Sequence, residues 1–299
     1  MDTMKPIDIL FALIVATIWG VNFSVIKLGL AELPPVLFSA LRFAIVAIPA
    51  VFFVPFPKTA VRNVVAVGVF LGVIKFSLLF VAMQVGASAG LSSLLLQAQV
   101  MFTILLSFTW FKEKITTYQL AGISLSSLGF ALFFGLSSEN LSLISLLLLL
   151  LAALSWAVSN LFMKQAKGVN VLHFMVWVSL IPPLPLLAFS YLFETNTPYQ
   201  LLVSAQTSTW LALAYVGFIS TLLAFAIWGH LLAKYSAAAV TPFALLVPVV
   251  GMLTANLVFD ESLTHLEWLA AGLVLLGLIC CVFGQNLHKF LANSPSKSI

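Results

Sequence analysis

Charge is what this chain has least of. Of its 299 residues 7% are charged and 62% are hydrophobic, whereas soluble domains carry roughly 25% charged and about 45–50% apolar residues. That scarcity excludes a water-soluble globule, which needs half-polar helices and polar loops. Cysteine is nearly absent: Cys280 and Cys281 stand side by side in an apolar run, and a disulfide framework needs spaced cysteines. We read both as core or lipid-facing thiols. No glycine-rich loop ends in Gly-Lys-Ser/Thr, so the chain carries no nucleotide-hydrolysing site of that kind. His173 and His230 have no cysteine or acid at ligand spacing, and no nucleophile–base pair is apparent. Neither a metal, a cofactor nor an enzyme is indicated. Strands of about 10 residues with alternating polarity, the mark of a membrane β-barrel, are missing as well.

What is present is a succession of apolar runs, at 7–27, 36–55, 64–84, 88–110, 118–136, 143–162, 171–192, 210–231, 237–258 and 268–287. Each can cross a hydrocarbon core about 30 Å thick. The fold class is all-α, a polytopic protein of the lipid bilayer with ten transmembrane helices. The first run has only Lys5 ahead of it and no small-residue cleavage site, so it reads as a retained helix rather than a signal peptide. Pro182, Pro183 and Pro185 should bend or unwind the seventh run. Residues 194–209 read as a surface link, and 293–299 as a short disordered tail.

The lysines orient these runs. With the N-terminus in the cytoplasm, Lys5, Lys58, Arg62, Lys112, Lys114, Lys164, Lys167, Lys234, Lys289 and Lys297 are all inside, and Lys27 alone is outside. Such a bias is the positive-inside rule at work, and it places both termini in the cytoplasm. The net charge of +4 is no nucleic-acid signal, because the lysines sit at helix mouths.

A repeat runs through the chain. The stretch from Leu94 to Ile115 ends in Glu113, and that from Ala238 to Leu263 ends in Glu261. Trp19 precedes Lys27 by eight residues, and Trp156 precedes Lys164 by the same interval. Both matches fall in register for an old duplication, residues 1–139 and 140–292. Five helices is an odd number, so the second copy enters the membrane inverted. Inverted repeats around a midplane site are the architecture of many secondary transporters. Gly68 and Gly72, with Gly122, Gly129, Gly272 and Gly277, would allow close helix packing, the last four between the fifth and tenth helices.

Charge inside a span costs about 2.5 kcal/mol or more, which makes it a functional hypothesis. Lys75 lies mid-span and should face a polar path, where it could pair with a substrate carboxylate or with protein carbonyls and amides. Arg42 lies near a helix start and has two readings, a functional group or a side chain that snorkels to the headgroups. No acid sits in mid-span, which disfavours exchange of protons against a cation. A zwitterionic or anionic substrate bearing a carboxylate suits Lys75 better. If transport is proton-coupled, the sequence singles out no proton carrier, and Lys75 is one conceivable group. Further path candidates are Asn22, Gln84, Gln97, Gln99, Ser155, Asn160 and Asn256. Gln97 and Gln99, two apart, cannot share a helix face. Trp19, Trp156, Trp177 and Trp228 could line the path or form an interfacial belt. Pro182, Pro242 and Pro248 release backbone carbonyls or act as bends.

Together the WGVNFSVIKLG run at 19–29, LRF at 41–43, LLLQAQVMFTILLS at 94–107, FKEK at 111–114, FALLVPVVG at 243–251 and DESL at 260–263 resemble the ten-helix EamA-type permeases of the drug/metabolite transporter superfamily. The likeness covers nearly the whole chain and extends to bacterial inner-membrane exporters of O-acetylserine and cysteine. It implies efflux of small amino-acid metabolites by a monomer, through a cavity at which Trp19, Asn22, Gln97, Gln99 and Trp156 are placed. It also implies structural roles for Glu113 and Glu261. Lys75 departs from the family's usual uncharged polar residue and so bears on substrate preference.

Overall fold

Proline, serine and threonine set where the helices begin. The computed structural model describes residues 4–135, 141–166, 168–235 and 237–292. The break expected at Glu139–Asn140, Lys167 and the tail from Asn293 lie outside them. α1 (Pro6–Gly29) and α2 (Pro35–Ala50) each start on a proline, whose missing N–H is lost without cost in a first turn. α3 is Val61–Gln84 and α4 is Ala89–Phe111, the latter capped by Ser88, whose hydroxyl accepts from the Leu91 amide. α5 (Thr117–Gly135) opens on a reciprocal Thr116/Gln119 box and α6 (Leu143–Gln165) on a Ser142/Ser145 box. α7 is Val171–Phe193, α8 Thr207–Lys234, α9 Thr241–Phe259 and α10 His265–Ala292, opened by a Thr264/Glu267 box.

Among the described residues eight helices are long and apolar enough to cross a membrane; α2, with 16 residues, is a shorter apolar helix. The 194–209 link holds one short helix, Pro198–Ser204, started by its proline.

Two helices change pitch mid-way. α3 is π-helical over Gly68–Lys75 and α8 over Tyr215–Leu223. A π-turn accommodates one extra residue and leaves carbonyls open to other donors. Ser155 of α6 donates to the Phe70 carbonyl (2.7 Å), and the Trp19 indole of α1 donates to the Ser220 carbonyl (3.0 Å). α7 breaks at Leu180–Pro182, as its prolines require. Gly68 and Gly72 lie against that break: a Cβ on Gly72 would sit 2.2 Å from Pro182 Cγ.

α5 and α10 form the closest pair. A Cβ on Gly122 would meet the Gly277 carbonyl at 2.5 Å, and one on Gly277 would meet Ser126 Oγ at 2.2 Å. Gly129 is equally tight against Ala270, but Gly272 has nothing within 4 Å and takes no part. With lipid as solvent the hydrophobic effect does not drive helix association, so such close packing does.

α1 and α6 run in opposite directions. The C-terminus of α1 lies beside the N-terminus of α4, and the C-terminus of α6 lies beside the C-terminus of α4.

Candidate functional site

α4 and α9 stop in the same way. Lys112 (φ 53°) and Asp260 (φ 54°) both take the left-handed conformation, which costs an L-residue roughly 1–2 kcal/mol. The turn delivers the next residue, Glu113 or Glu261, to a lysine at the far end of another helix. Glu261 accepts from Lys27 Nζ at 2.6 Å, and Glu113 accepts from Lys164 Nζ. The lysine of the N-terminal half therefore pairs with the acid of the C-terminal half, and the converse. These pairs lie at opposite ends of the bundle.

They are not equally buried. The Glu261 side chain is 8% exposed, whereas that of Glu113 is 49% exposed. Glu261 also takes the Ala89 and Gly90 amides, each at 3.0 Å, neutralising the positive end of α4. Burial pushes its carboxyl up, but the Lys27 hydrogen bond, the two amides and the lysine charge together hold it below its ordinary value.

Carboxylates tie the rest of that end. Glu194 accepts from the Val36 and Leu37 amides at the start of α2 (2.8 and 3.0 Å). Glu32 accepts from the Gln206 amide and the Thr209 hydroxyl at the start of α8, and these bonds hold its carboxyl below the ordinary value. At the other end Asp8 accepts from Lys234 Nζ and the Tyr235 hydroxyl, each at 2.7 Å.

Between the ends lies a cluster built on the two π-helical segments. Arg42 is the middle of α2 rather than its start, and its side chain turns inward, 4% exposed, instead of snorkelling. Its Nη2 donates to Thr221 Oγ1 at 3.1 Å, while Nε and Nη1 have no partner among the described residues. Lys75, 5% exposed, closes the π-segment of α3. Both cations lie against the Phe76 ring, its centroid 3.4 Å from Lys75 Nζ and 4.0 Å from Arg42 Cζ. The Trp156 ring is 4.6 Å from Lys75 Nζ. Removing an ion from water costs several kcal/mol unless it is paired, and here two like charges are brought together.

One helical turn beyond Trp156, Asn160 Nδ2 donates to Gln99 Oε1 (2.7 Å) and Thr103 Oγ1 (3.1 Å), joining α6 to α4. Gln97, on another face, donates to the Ala244 carbonyl at 3.4 Å. Pro248, four residues on, has no N–H to offer that carbonyl. Trp19 packs on Trp228, which is 8% exposed, with ring centroids 5.1 Å apart and planes tilted by 59°, and Asn22 Oδ1 is buried without a partner among the described residues. Pro242 lies in a 3-10 turn over Thr241–Leu245, at the start of α9.

Other candidates lie elsewhere. Gln84 is exposed at the end of α3, Asn256 is exposed and donates to the Glu261 carbonyl, and Trp177 donates to the Val54 carbonyl. Among the described residues no group of His, Cys, Asp or Glu could hold a metal ion. Phe76 and Thr221 escaped the sequence reading. Phe76 could have been found by asking which ring a buried lysine covers, whereas Thr221 carries no signal of its own.

A family model described as the EamA-like transporter family matches residues 6–135 and again residues 143–283. The chain belongs to that family. It is thus a multi-pass transporter of the inner membrane rather than an enzyme. A relative from Escherichia coli strain K12, named a probable amino-acid metabolite efflux pump, is 39% identical over 96% of this chain and 98% of its own. The protein of that name from Salmonella typhimurium strain LT2 is 40% identical over the same shares. A solved crystal structure, 18% identical, matches with a TM-score of 0.60 over 96% of this chain and 99% of that one, which shows the fold alone.

Proposed function

We propose that this EamA-family transporter exports cysteine- and O-acetylserine-like metabolites by alternating access, as a monomer of ten spans with both termini cytoplasmic. Its halves, 1–139 and 140–292, are read as an inverted pair that rocks about the buried cluster. The observation that carries the reading is that cluster: Arg42 and Lys75 are two buried cations with no carboxylate beside them among the described residues. A substrate carboxylate supplies what they lack. The crossed pairs Lys27–Glu261 and Lys164–Glu113 support the rocking, since each joins one half to the other at one end. The tighter packing of the first corresponds to a conformer closed at that end. Trp19, Trp156, Gln99 and Asn160 line the route, and Arg42 and Lys75 hold the acid group. If export is proton-coupled, Lys75 carries the proton.

Counterflow of labelled cysteine into proteoliposomes tests this. Competition by O-acetylserine, serine and threonine, lost in Lys75→Ala protein that remains monodisperse, is the expected result. Competition by a lipophilic cation alone would move the protein to drug efflux. Uptake by an auxotroph without efflux on overproduction would make it an importer.

A further inference from the structure

We propose that Arg42 and Lys75 act together as one anion subsite that selects amino-acid metabolites of net negative charge, those whose amino group is acylated or replaced by an oxo group, over zwitterions. The inference rests on the transport reading above and ranks substrates within it, placing anionic derivatives ahead of zwitterions such as cysteine and O-acetylserine.

The two cationic centres share one ring, Phe76, and therefore lie within one aromatic side chain of each other. Arg42 keeps Nε and Nη1 without a partner, although the side chain is 4% exposed. A guanidinium presents its donors as a planar fork that fits a carboxylate, and Lys75 supplies a second positive charge beside it. Such a pair is fully compensated only by an incoming anion.

A zwitterion brings an ammonium together with its carboxylate, and no carboxylate among the described residues stands at the cluster to pair with it. The described carboxylates lie at helix ends: Asp8, Glu113 and Glu261 with lysines, and Glu32, Glu194 and Glu267 on helix N-termini. Asp260 lies at the end of α9. Aromatic faces can also hold an ammonium. The Phe76 and Trp156 rings, however, already lie against the protein's own cations. The amide oxygen of Gln99 is taken by Asn160. A substrate without a free ammonium avoids that cost and leaves its full negative charge for the two cations.

O-acetylserine and N-acetylserine isolate the variable, because they are isomers of equal size that differ in net charge by one unit at neutral pH. The experiment loads proteoliposomes of the full chain with cysteine and measures inhibition of labelled-cysteine counterflow by each isomer. The pH is kept slightly acidic so that the O-acetyl isomer does not rearrange. Sparing the desolvation of an ammonium that finds no partner predicts a half-inhibitory concentration about tenfold lower for N-acetylserine. Arg42→Gln and Lys75→Gln should each bring the ratio of the two concentrations towards one, and Lys75→Arg should keep it. The wild-type ratio needs no variant, so a misfolded substitution does not remove the test. Equal inhibition, or stronger inhibition by O-acetylserine, overturns the anion preference while leaving amino-acid transport in place. Absence of cysteine counterflow together with inactivity of both isomers overturns the transport reading too.

Discussion

Lys27→Met should destabilise the protein far more through Glu261 than Lys164→Met does through Glu113. The Lys27–Glu261 side chains are 36% and 8% exposed, and those of Lys164–Glu113 are 43% and 49% exposed. Breaking a fully buried pair costs about 3–5 kcal/mol, while exposed pairs are worth about 0–1 kcal/mol. A lysine one-third exposed lies between these limits, so a double-mutant cycle of Lys27→Met and Glu261→Gln should give a coupling of about 1–2 kcal/mol. The cycle of Lys164→Met and Glu113→Gln should give less than about 0.5 kcal/mol. Glu261→Gln alone should exceed Lys27→Met by about 1 kcal/mol, because the carboxylate also neutralises the first turn of α4. The exchange Lys27→Glu with Glu261→Lys should recover the pair but not the stability, since a lysine cannot accept from the Ala89 and Gly90 amides. Unfolding of purified protein in mixed micelles, followed by tryptophan fluorescence, measures each cycle. Equal coupling at the two ends, or the larger at Glu113, would refute the assignment of a tight and a loose end.

Three further outcomes follow from the same geometry. The Glu261 carboxyl is held below its ordinary value of 4.5, so its contribution is complete above that pH and is lost as pH falls through the folded value; melting temperature between pH 7 and 3.5 should fall less in Glu261→Gln than in the parent. Gly277→Val should cost about 1–3 kcal/mol or more, because a Cβ there meets Ser126 Oγ at 2.2 Å and the Gly122 carbonyl at 2.6 Å; Gly272→Ala, with open space around it, should gain about 0.5–1 kcal/mol in the same unfolding assay. Lys112→Gly should stabilise by about 1 kcal/mol by relieving its left-handed backbone, a result that a drop in melting temperature would contradict.

Much of the helical framework was legible because apolar length and flanking charge report directly on the bilayer. The seventh run was expected to bend at its prolines, and α7 breaks at Leu180–Pro182. The Trp-to-Lys interval and the two glutamates pointed to a repeat, but not to the pairing of Lys27 with Glu261 and of Lys164 with Glu113; that depends on which helices become neighbours. The Thr116/Gln119 and Thr264/Glu267 boxes were readable as T-x-x-Q and T-x-x-E, and they fix the starts of α5 and α10 more tightly than hydropathy does. Arg42 was ambiguous because its place in the helix depends on where α2 ends: the start expected at 36 is off by one residue, and the stop at Ala50 rather than 55 puts Arg42 at mid-helix. The π-segments of α3 and α8 have no compositional cue, yet they set the phase that brings Lys75 and Thr221 to the cluster.

The reciprocal ion pairs also bear on how the chain is made. Lys27 and its carboxylate are 234 residues apart. At about 5–20 residues per second the ribosome needs on the order of 10–50 s to supply Glu261 after Lys27 has been synthesised. Throughout that interval α1 holds a lysine without its carboxylate, and the Ala89 and Gly90 amides of α4 wait for their acceptor. α1 and α4 therefore form an unfinished contact, closed only when the residue after the turn that ends α9 has been delivered.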